Sequence, residues 1–340
     1  MVKKVIFDKK NVLVAGGAGF IGSHLCDELI KTSKVICVDN FISGAEKNID
    51  HLLSSPDFVF INHDLAVPLE LNEIPELAKF KIKFQGVQEV YNLACPMSPR
   101  NFLDNRLAIL DANSVVTKNL LDLALRNEAK FLHFSSAVVY GAYDKNNLDY
   151  KVKEADFGTT NNLSLRSSYD EGKRFAETLV QNYHDIFKLD TKIMRLFRTY
   201  GPRMMLDDDQ MIPDFIDAAI GNRDLVIFGD ESFTSSFCYV DDVIDAATKI
   251  MHSDLAGPIN IGSDVRINLS DLAYMIIKEV GATSKVVYQP SNLFLTELLL
   301  PDIYLARNEL SWMPVVTLEN GLKKTLFSLR ANSGLQDFSN

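Results

Sequence analysis

The stretch Asn11-Val-Leu-Val-Ala-Gly-Gly-Ala-Gly-Phe-Ile-Gly-Ser-His-Leu25 constrains this chain more than any other. A run of β-formers leads into Gly16, Gly19 and Gly22, and an apolar-periodic segment follows. Glycines at that spacing let the backbone turn sharply between a strand and a helix, and they leave room for another group to approach the main chain. The helix N-terminus behind them offers N–H groups without intrahelical partners and the positive end of a dipole. Such a turn is shaped to hold phosphate. The next strand, Lys34-Val-Ile-Cys-Val-Asp39, ends on an acid. A carboxylate there accepts hydrogen bonds from a ribose 2′-hydroxyl and repels a 2′-phosphate, which points to NAD rather than NADP.

Further apolar strands, 57–64, 89–95, 130–135 and 191–197, alternate with helical patterns over 102–127 and 168–187. Alternation of that kind predicts an α/β fold, a Rossmann-like doubly wound parallel sheet covered on both faces. A polar stretch from Tyr143 to Ser168 reads as a surface loop. After Tyr200-Gly-Pro-Arg203 the elements shorten: helices near 211–221, 241–252, 269–280 and 317–330, and strands near 225–228, 235–240 and 259–261. The expected division is a nucleotide-binding domain over 1–203, joined again by about 235–260. A smaller C-terminal α/β substrate lobe is made mainly of 204–340 and placed over the strand C-termini.

A net charge of −10 argues against a nucleic-acid surface, while leaving room for a local basic pocket. No segment has the roughly 18 apolar residues of a membrane span, and the charged start does not lead into a signal-peptide core. A cytoplasmic protein is expected. Cys26, Cys37, Cys95 and Cys238 are scattered and the six histidines lack ligand spacing, so no metal site is expected and the thiols read as buried small hydrophobes in a reducing compartment.

Tyr169-Asp-Glu-Gly-Lys173 places a phenol and an ammonium one helical turn apart on one face. The ammonium is expected to favour the phenolate and lower the tyrosine pKa, making Tyr169 a general base. Ser136, at the end of the fifth strand, is positioned to hydrogen-bond a substrate alcohol.

Gly16-Gly-Ala-Gly-Phe-Ile-Gly22, Ser136 before Tyr140-Gly141, Tyr169-x-x-x-Lys173 and Arg195-Leu-Phe-Arg-Thr-Tyr-Gly-Pro-Arg203 resemble the extended short-chain dehydrogenase/reductases of the NAD-dependent epimerase/dehydratase family, which modify nucleotide sugars. Asn92-Leu-Ala-Cys-Pro-Met-Ser-Pro99, Ser168-Tyr-Asp-Glu-Gly-Lys-Arg-Phe-Ala-Glu-Thr178 and Ser236-Phe-Cys-Tyr-Val240 are most similar to its UDP-glucuronate decarboxylase (UDP-xylose synthase) branch. The resemblance implies oxidation at sugar C4 by bound NAD, with Ser136, Tyr169 and Lys173 catalytic. It places Gly16, Gly19, Phe20, Ile21, Gly22, Asp39, Asn40, Asp64, Leu65, Leu93 and Ala94, with Tyr169 and Lys173, at the cofactor. Asn113 is expected to buttress the site. Pro96, Ser98, Arg100, Arg198, Arg203 and Ser235 are the implied substrate contacts, the substrate being UDP-linked. Helices 103–126 and 169–187 resemble the pair that forms a homodimer interface in the family.

The match breaks on the substrate side. The family's glutamate two residues after the fifth-strand Ser/Thr is Val138, an aromatic hydroxyl near the substrate carboxylate is lost at Phe102, and two diphosphate arginines are Ser235 and Leu299. In the opposite direction, an asparagine has become Arg198. Three outcomes therefore stand open: decarboxylation of the 4-keto intermediate, 4-epimerisation or another ketone-forming reaction, and an NAD-binding protein with altered catalysis.

Overall fold

The computed structural model describes residues 9–141, 150–206, 208–290 and 299–333. Its frame is seven parallel strands: β1 (Asn11–Ala15), β2 (Lys34–Asp39), β3 (Phe58–Asn62), β4 (Glu89–Asn92), β5 (Lys130–Ser136), β7 (Thr191–Leu196) and β12 (Pro258–Ile261). They lie in the order β12-β7-β5-β4-β1-β2-β3. The chain runs outward from β1 in one direction and then returns to build from β4 in the other. A crevice opens at the strand C-termini where the order reverses, the position at which open α/β sheets bind ligands.

The strands read as apolar runs because both faces are covered. Side chains alternate between the faces: Val12, Val14, Val35 and Cys37 pack into one core with Leu25 of α1 (Phe20–Leu29) and Val243 of α7 (Val240–His252). Leu13, Ile36 and Val38 pack into the other with Leu120 of α4 (Thr117–Arg126) and Val180 of α5 (Ser167–Phe187). Each such buried aliphatic contributes about 1.5–3 kcal/mol.

The helix expected over 102–127 is instead α3 (Arg106–Asp111), a π-helical turn (Ala112–Val116) and α4. Thr117 donates its hydroxyl to Ala112 O at 2.9 Å, pairing side chain with main chain where the helical register changes. Within the expected polar loop, 142–149 lies outside the described residues, but Lys151–Val152 forms β6, which pairs with β15 (Leu300–Pro301). A backbone ladder there overrides the polar composition.

The remaining segments are short. A four-residue helix, α2 (Ile82–Gln85), precedes β4. β9 (Leu225–Phe228) pairs with β14 (Val286–Gln289) beside α6 (Met211–Ile220) and α8 (Leu269–Val280). The strand expected over 235–240 divides in two. β10 (Thr234–Ser235) pairs antiparallel with β13 (Ile267–Asn268), whereas β11 (Cys238–Tyr239) pairs with β8 (Thr199–Tyr200). α9 (Tyr304–Leu310) and α10 (Leu318–Ser333) complete the described chain. Among the described residues no helix is long and apolar enough to cross a membrane, and no group of three or more His, Cys, Asp or Glu side chains is arranged to hold a metal.

Candidate active site

The glycine turn between β1 and α1 packs against the end of β4. Gly16 adopts φ +77°, where a side chain is strained, and a Cβ there would lie 2.9 Å from Ala94 N. At Gly22 a Cβ would lie 2.1 Å from Gly16 O, so any larger residue would push the first turn of α1 off the loop. No side chain caps α1 at Gly19, which leaves its first N–H groups facing the crevice. Asp39 closes the loop from the next strand, its carboxylate accepting from Ala18 N at 3.0 Å and Phe41 N at 2.8 Å. Burial raises its pKa while those hydrogen bonds pull it down.

The crevice is a cleft of about 1090 Å³. All the residues expected at the cofactor line it: Gly16, Gly19, Phe20, Ile21, Gly22, Asp39, Asn40, Asp64, Leu65, Leu93, Ala94, Tyr169 and Lys173. Ser136, Pro96, Ser98, Arg198 and Arg203 line it too. Arg203 is anchored on the α1 side by Asp27, at 2.7 Å. Arg100 is exposed outside the lining, with its charge reaching Asp208. Ser235 is not brought to the cleft wall; it is buried in β10. Leu299 packs against the small core of Ala137, Val139, Tyr140 and Phe197, and Phe102 is fully buried. Val138, two residues past Ser136, presents an apolar surface to the cleft.

Ser136 ends β5, and α5 carries Tyr169 and Lys173 past it. The Ser136 hydroxyl is hydrogen-bonded to Tyr169. Lys173 Nζ donates to Phe134 O at 2.7 Å and stands 6.0 Å from the centre of the Tyr169 ring. The expectation that Lys173 lowers the Tyr169 pKa is corrected here. Burial is the largest influence and drives the phenol above its ordinary value, opposed by the Ser136 hydrogen bond and by the charge of Arg166. Burial also lowers Lys173. Removing an ionised phenolate from water costs more than a cation at that range returns.

Asn113 sits in the π turn, donating to Ile109 O at 2.8 Å and to Cys95 Sγ at 3.5 Å. α5 approaches it closely at Gly172, where a Cβ would lie 3.1 Å from Asn113 Nδ2. A π turn often marks a functional site. Cys95 corrects the reading of the cysteines: Cys26, Cys37 and Cys238 are buried, but Cys95 is only partly so and lines the cleft near Tyr169.

Sequence reasoning missed Arg166 and Asp208. Arg166 lies three residues before Tyr169, a spacing that places it on the same helix flank and could have revealed it. Asp208 accepts from Ser98 and from Gln210 Nε2, the latter at 2.8 Å, and no local motif announces that pairing.

The model of the NAD dependent epimerase/dehydratase family matches residues 12–262. The chain is 36% identical over 320 residues to UDP-glucuronic acid decarboxylase 1 of Arabidopsis thaliana, covering 94% of this chain and 69% of that protein. It is also 36% identical over 313 residues to UDP-glucuronic acid decarboxylase 5 of the same plant, covering 92% and 86%. Among solved structures, UDP-glucuronic acid 4-epimerase from Bacillus cereus, in complex with UDP-glucuronic acid and NAD, superposes with a TM-score of 0.82 at 27% identity, covering 95% of this chain and 99% of that one. UDP-glucose 4-epimerase from Thermotoga maritima, with UDP-glucose, gives 0.82 at 25% identity and the same coverage. With its glycine turn, its Ser-Tyr-Lys set and a match across most of its length, the chain belongs to the NAD dependent epimerase/dehydratase family.

Proposed function

We propose that this protein is an NAD-dependent nucleotide-sugar-modifying enzyme that transiently oxidises C4 of UDP-glucuronate. The observation that carries the reading is the meeting of Ser136, Tyr169 and Lys173 at one wall of the cleft that the glycine turn opens. The cradle fits NAD: Gly16 and Gly22 leave no room for side chains, and the Asp39 carboxylate faces the same cleft. In this reading the N–H groups of Phe20, Ile21 and Gly22 hold the cofactor diphosphate. Asp39 and Asn40 take the ribose, Asp64 and Leu65 edge the adenine, and Leu93 and Ala94 border the nicotinamide. When bound, NAD supplies the acceptor for the C4 hydrogen and its electron pair.

The chain's own groups handle the proton. Ser136 orients the O4 hydroxyl and Tyr169 takes its proton. Lys173, fixed by Phe134 O, holds the ring face with its charge. Asn113 steadies α5 through Gly172. Pro96 and Ser98 border the sugar, and Arg203 lies nearer the diphosphate.

Purified protein incubated with UDP-glucuronate and NAD is expected to convert the sugar, as read by mass spectrometry and NMR, and Tyr169→Phe to lose about 100- to 10,000-fold in rate. Absence of conversion by the wild type, or undiminished turnover by the variant, refutes the reading.

The protein acts in this reading as a homodimer in the cytoplasm. Support comes from the apolar outer faces of adjacent helices, where Leu107 is 76%, Phe175 50% and Ile186 66% exposed, and from four free thiols suited to a reducing compartment. A monomer mass by light scattering would contradict the dimer.

A further inference from the structure

Two guanidiniums line the cleft with the reactive tyrosine, one acting on it and the second acting on the first. Arg166 immediately precedes α5, three residues before Tyr169, and so shares its flank. Arg198 lies two residues beyond Leu196, which pairs in register with Ser136 across β5 and β7. Both arginines line the cleft together with Ser136, Val138 and Tyr169. They are electrostatically coupled: burial, followed by the charge of Arg166, lowers Arg198 to about 10. Asp170, one turn on along α5, accepts from Arg166 at 3.3 Å. Like charges held together in a partly desolvated wall repel each other, and a bound anion between them turns that repulsion into attraction.

We infer that Arg166 and Arg198 form a clamp for the C6 carboxylate of a uronic acid sugar, and that this clamp, with Val138 beside Ser136, keeps the carboxylate in the product. The inference rests on the C4-oxidation reading above. That reading puts O4 at the Tyr169 hydroxyl. C6 is attached to C5, the neighbour of C4, whereas the diphosphate leaves from C1 across the ring. Arg166, whose charge acts on Tyr169, and Arg198, which shares the cleft and feels Arg166, therefore stand on the side where the C6 carboxylate lies.

The clamp opposes decarboxylation on physical grounds. Loss of CO₂ from the 4-keto acid breaks the C5–C6 bond, sends its electron pair through C5 and C4 to O4 as an enolate, and requires a proton to be delivered to C5. The negative charge leaves the place where the arginines hold it, so they stabilise the ground state more than the transition state. Val138 has no proton to give C5. With C5–C6 intact, the ketone is reduced again at C4 and the product keeps all its carbons.

The test uses the NAD-loaded protein with UDP-glucuronate labelled with ¹³C at C6, and calorimetric binding of UDP-glucuronate against UDP-glucose. Conversion without labelled CO₂ is expected, with binding of the acid tighter by about 10- to 100-fold. Arg166→Gln and Arg198→Gln, each checked for a wild-type circular dichroism spectrum, should remove most of that preference. Stoichiometric CO₂ release overturns retention, and equal affinity for the two ligands in the wild type overturns the clamp. Persistence of the preference in both variants overturns the assignment to these arginines. Preferential binding of the acid with no turnover would sink the C4-oxidation reading and leave the clamp standing.

Discussion

Removing Glu177 should unfold this protein several degrees earlier, because its carboxylate is the hub of a largely buried network behind the site. Arg195 donates to it twice, Nε at 2.9 Å and Nη2 at 2.7 Å, and Ser135 Oγ donates at 2.6 Å. Arg195 Nη1 continues to the Tyr140 hydroxyl and Glu154 O, both at 2.9 Å, and Tyr140 donates to Asn260 Oδ1 at 2.7 Å. The network ties β5, β7, β12 and α5 together. Both members of the ion pair are only 12% exposed, so Glu177→Ala strands a desolvated guanidinium at a cost of about 3–5 kcal/mol. A chain of 340 residues has an unfolding entropy near the melting point of about 0.7 kcal/mol/K, which converts that cost to a fall of about 4–7 °C. Circular dichroism melts at pH 7 measure it. Replacing the pair together, Glu177→Leu with Arg195→Met, should restore most of the loss, since the desolvation penalty goes with both charges. A single variant melting within about 1 °C of wild type would show that solvent reaches Arg195 and that the network does not act as a buried unit.

Three further outcomes follow from the geometry. Gly22→Ala should abolish NADH binding followed by fluorescence, because its Cβ would lie 2.1 Å from Gly16 O; affinity within about twofold of wild type would mean that the turn relaxes freely. Burial, reinforced by the charge of Lys173, holds His133 well below its ordinary pKa of 6.5. The unfolded chain takes up that proton first, so stability is lost as pH falls below 6.5 towards the folded value, by up to about 1.4 kcal/mol per unit. Urea titrations should show His133→Leu with a shallower acid slope, and identical slopes would refute this. Ser136→Ala removes a hydrogen bond that lowers the Tyr169 pKa, so the rising limb of kcat/KM should move to higher pH; an unmoved or acid-shifted limb contradicts the contact.

The sheet was legible because its strands are buried on both faces and so carry uninterrupted apolar runs, as in Leu13-Val-Ala15 and Ile36-Cys-Val38. The π turn at Ala112–Val116 was not, since the apolar period continues through it and only the backbone register shifts. Short strands such as Lys151–Val152 and Leu300–Pro301 escaped for a different reason: each is defined by a partner far away in the chain, and two residues carry no period.

The site divides along the same line. Gly16 and Gly22 were readable because their constraint is local: a positive φ and a missing Cβ are properties of the residue itself. Ionisation is not such a property. The spacing of Tyr169 and Lys173 identifies a phenol and an ammonium on one face, yet the dielectric around them, which the spacing does not contain, raises the one and lowers the other. Lys173 directs its ammonium at Phe134 O, while the groups that pull Tyr169 back towards ionisation are Ser136, at the end of β5, and Arg166, from outside the motif. The motif thus names the atoms that exchange the proton, and the surrounding wall sets the pH at which they can. Substitutions at Arg166 or Ser136 should therefore displace the pH profile, whereas substitution of Tyr169 should remove the activity whose profile is measured.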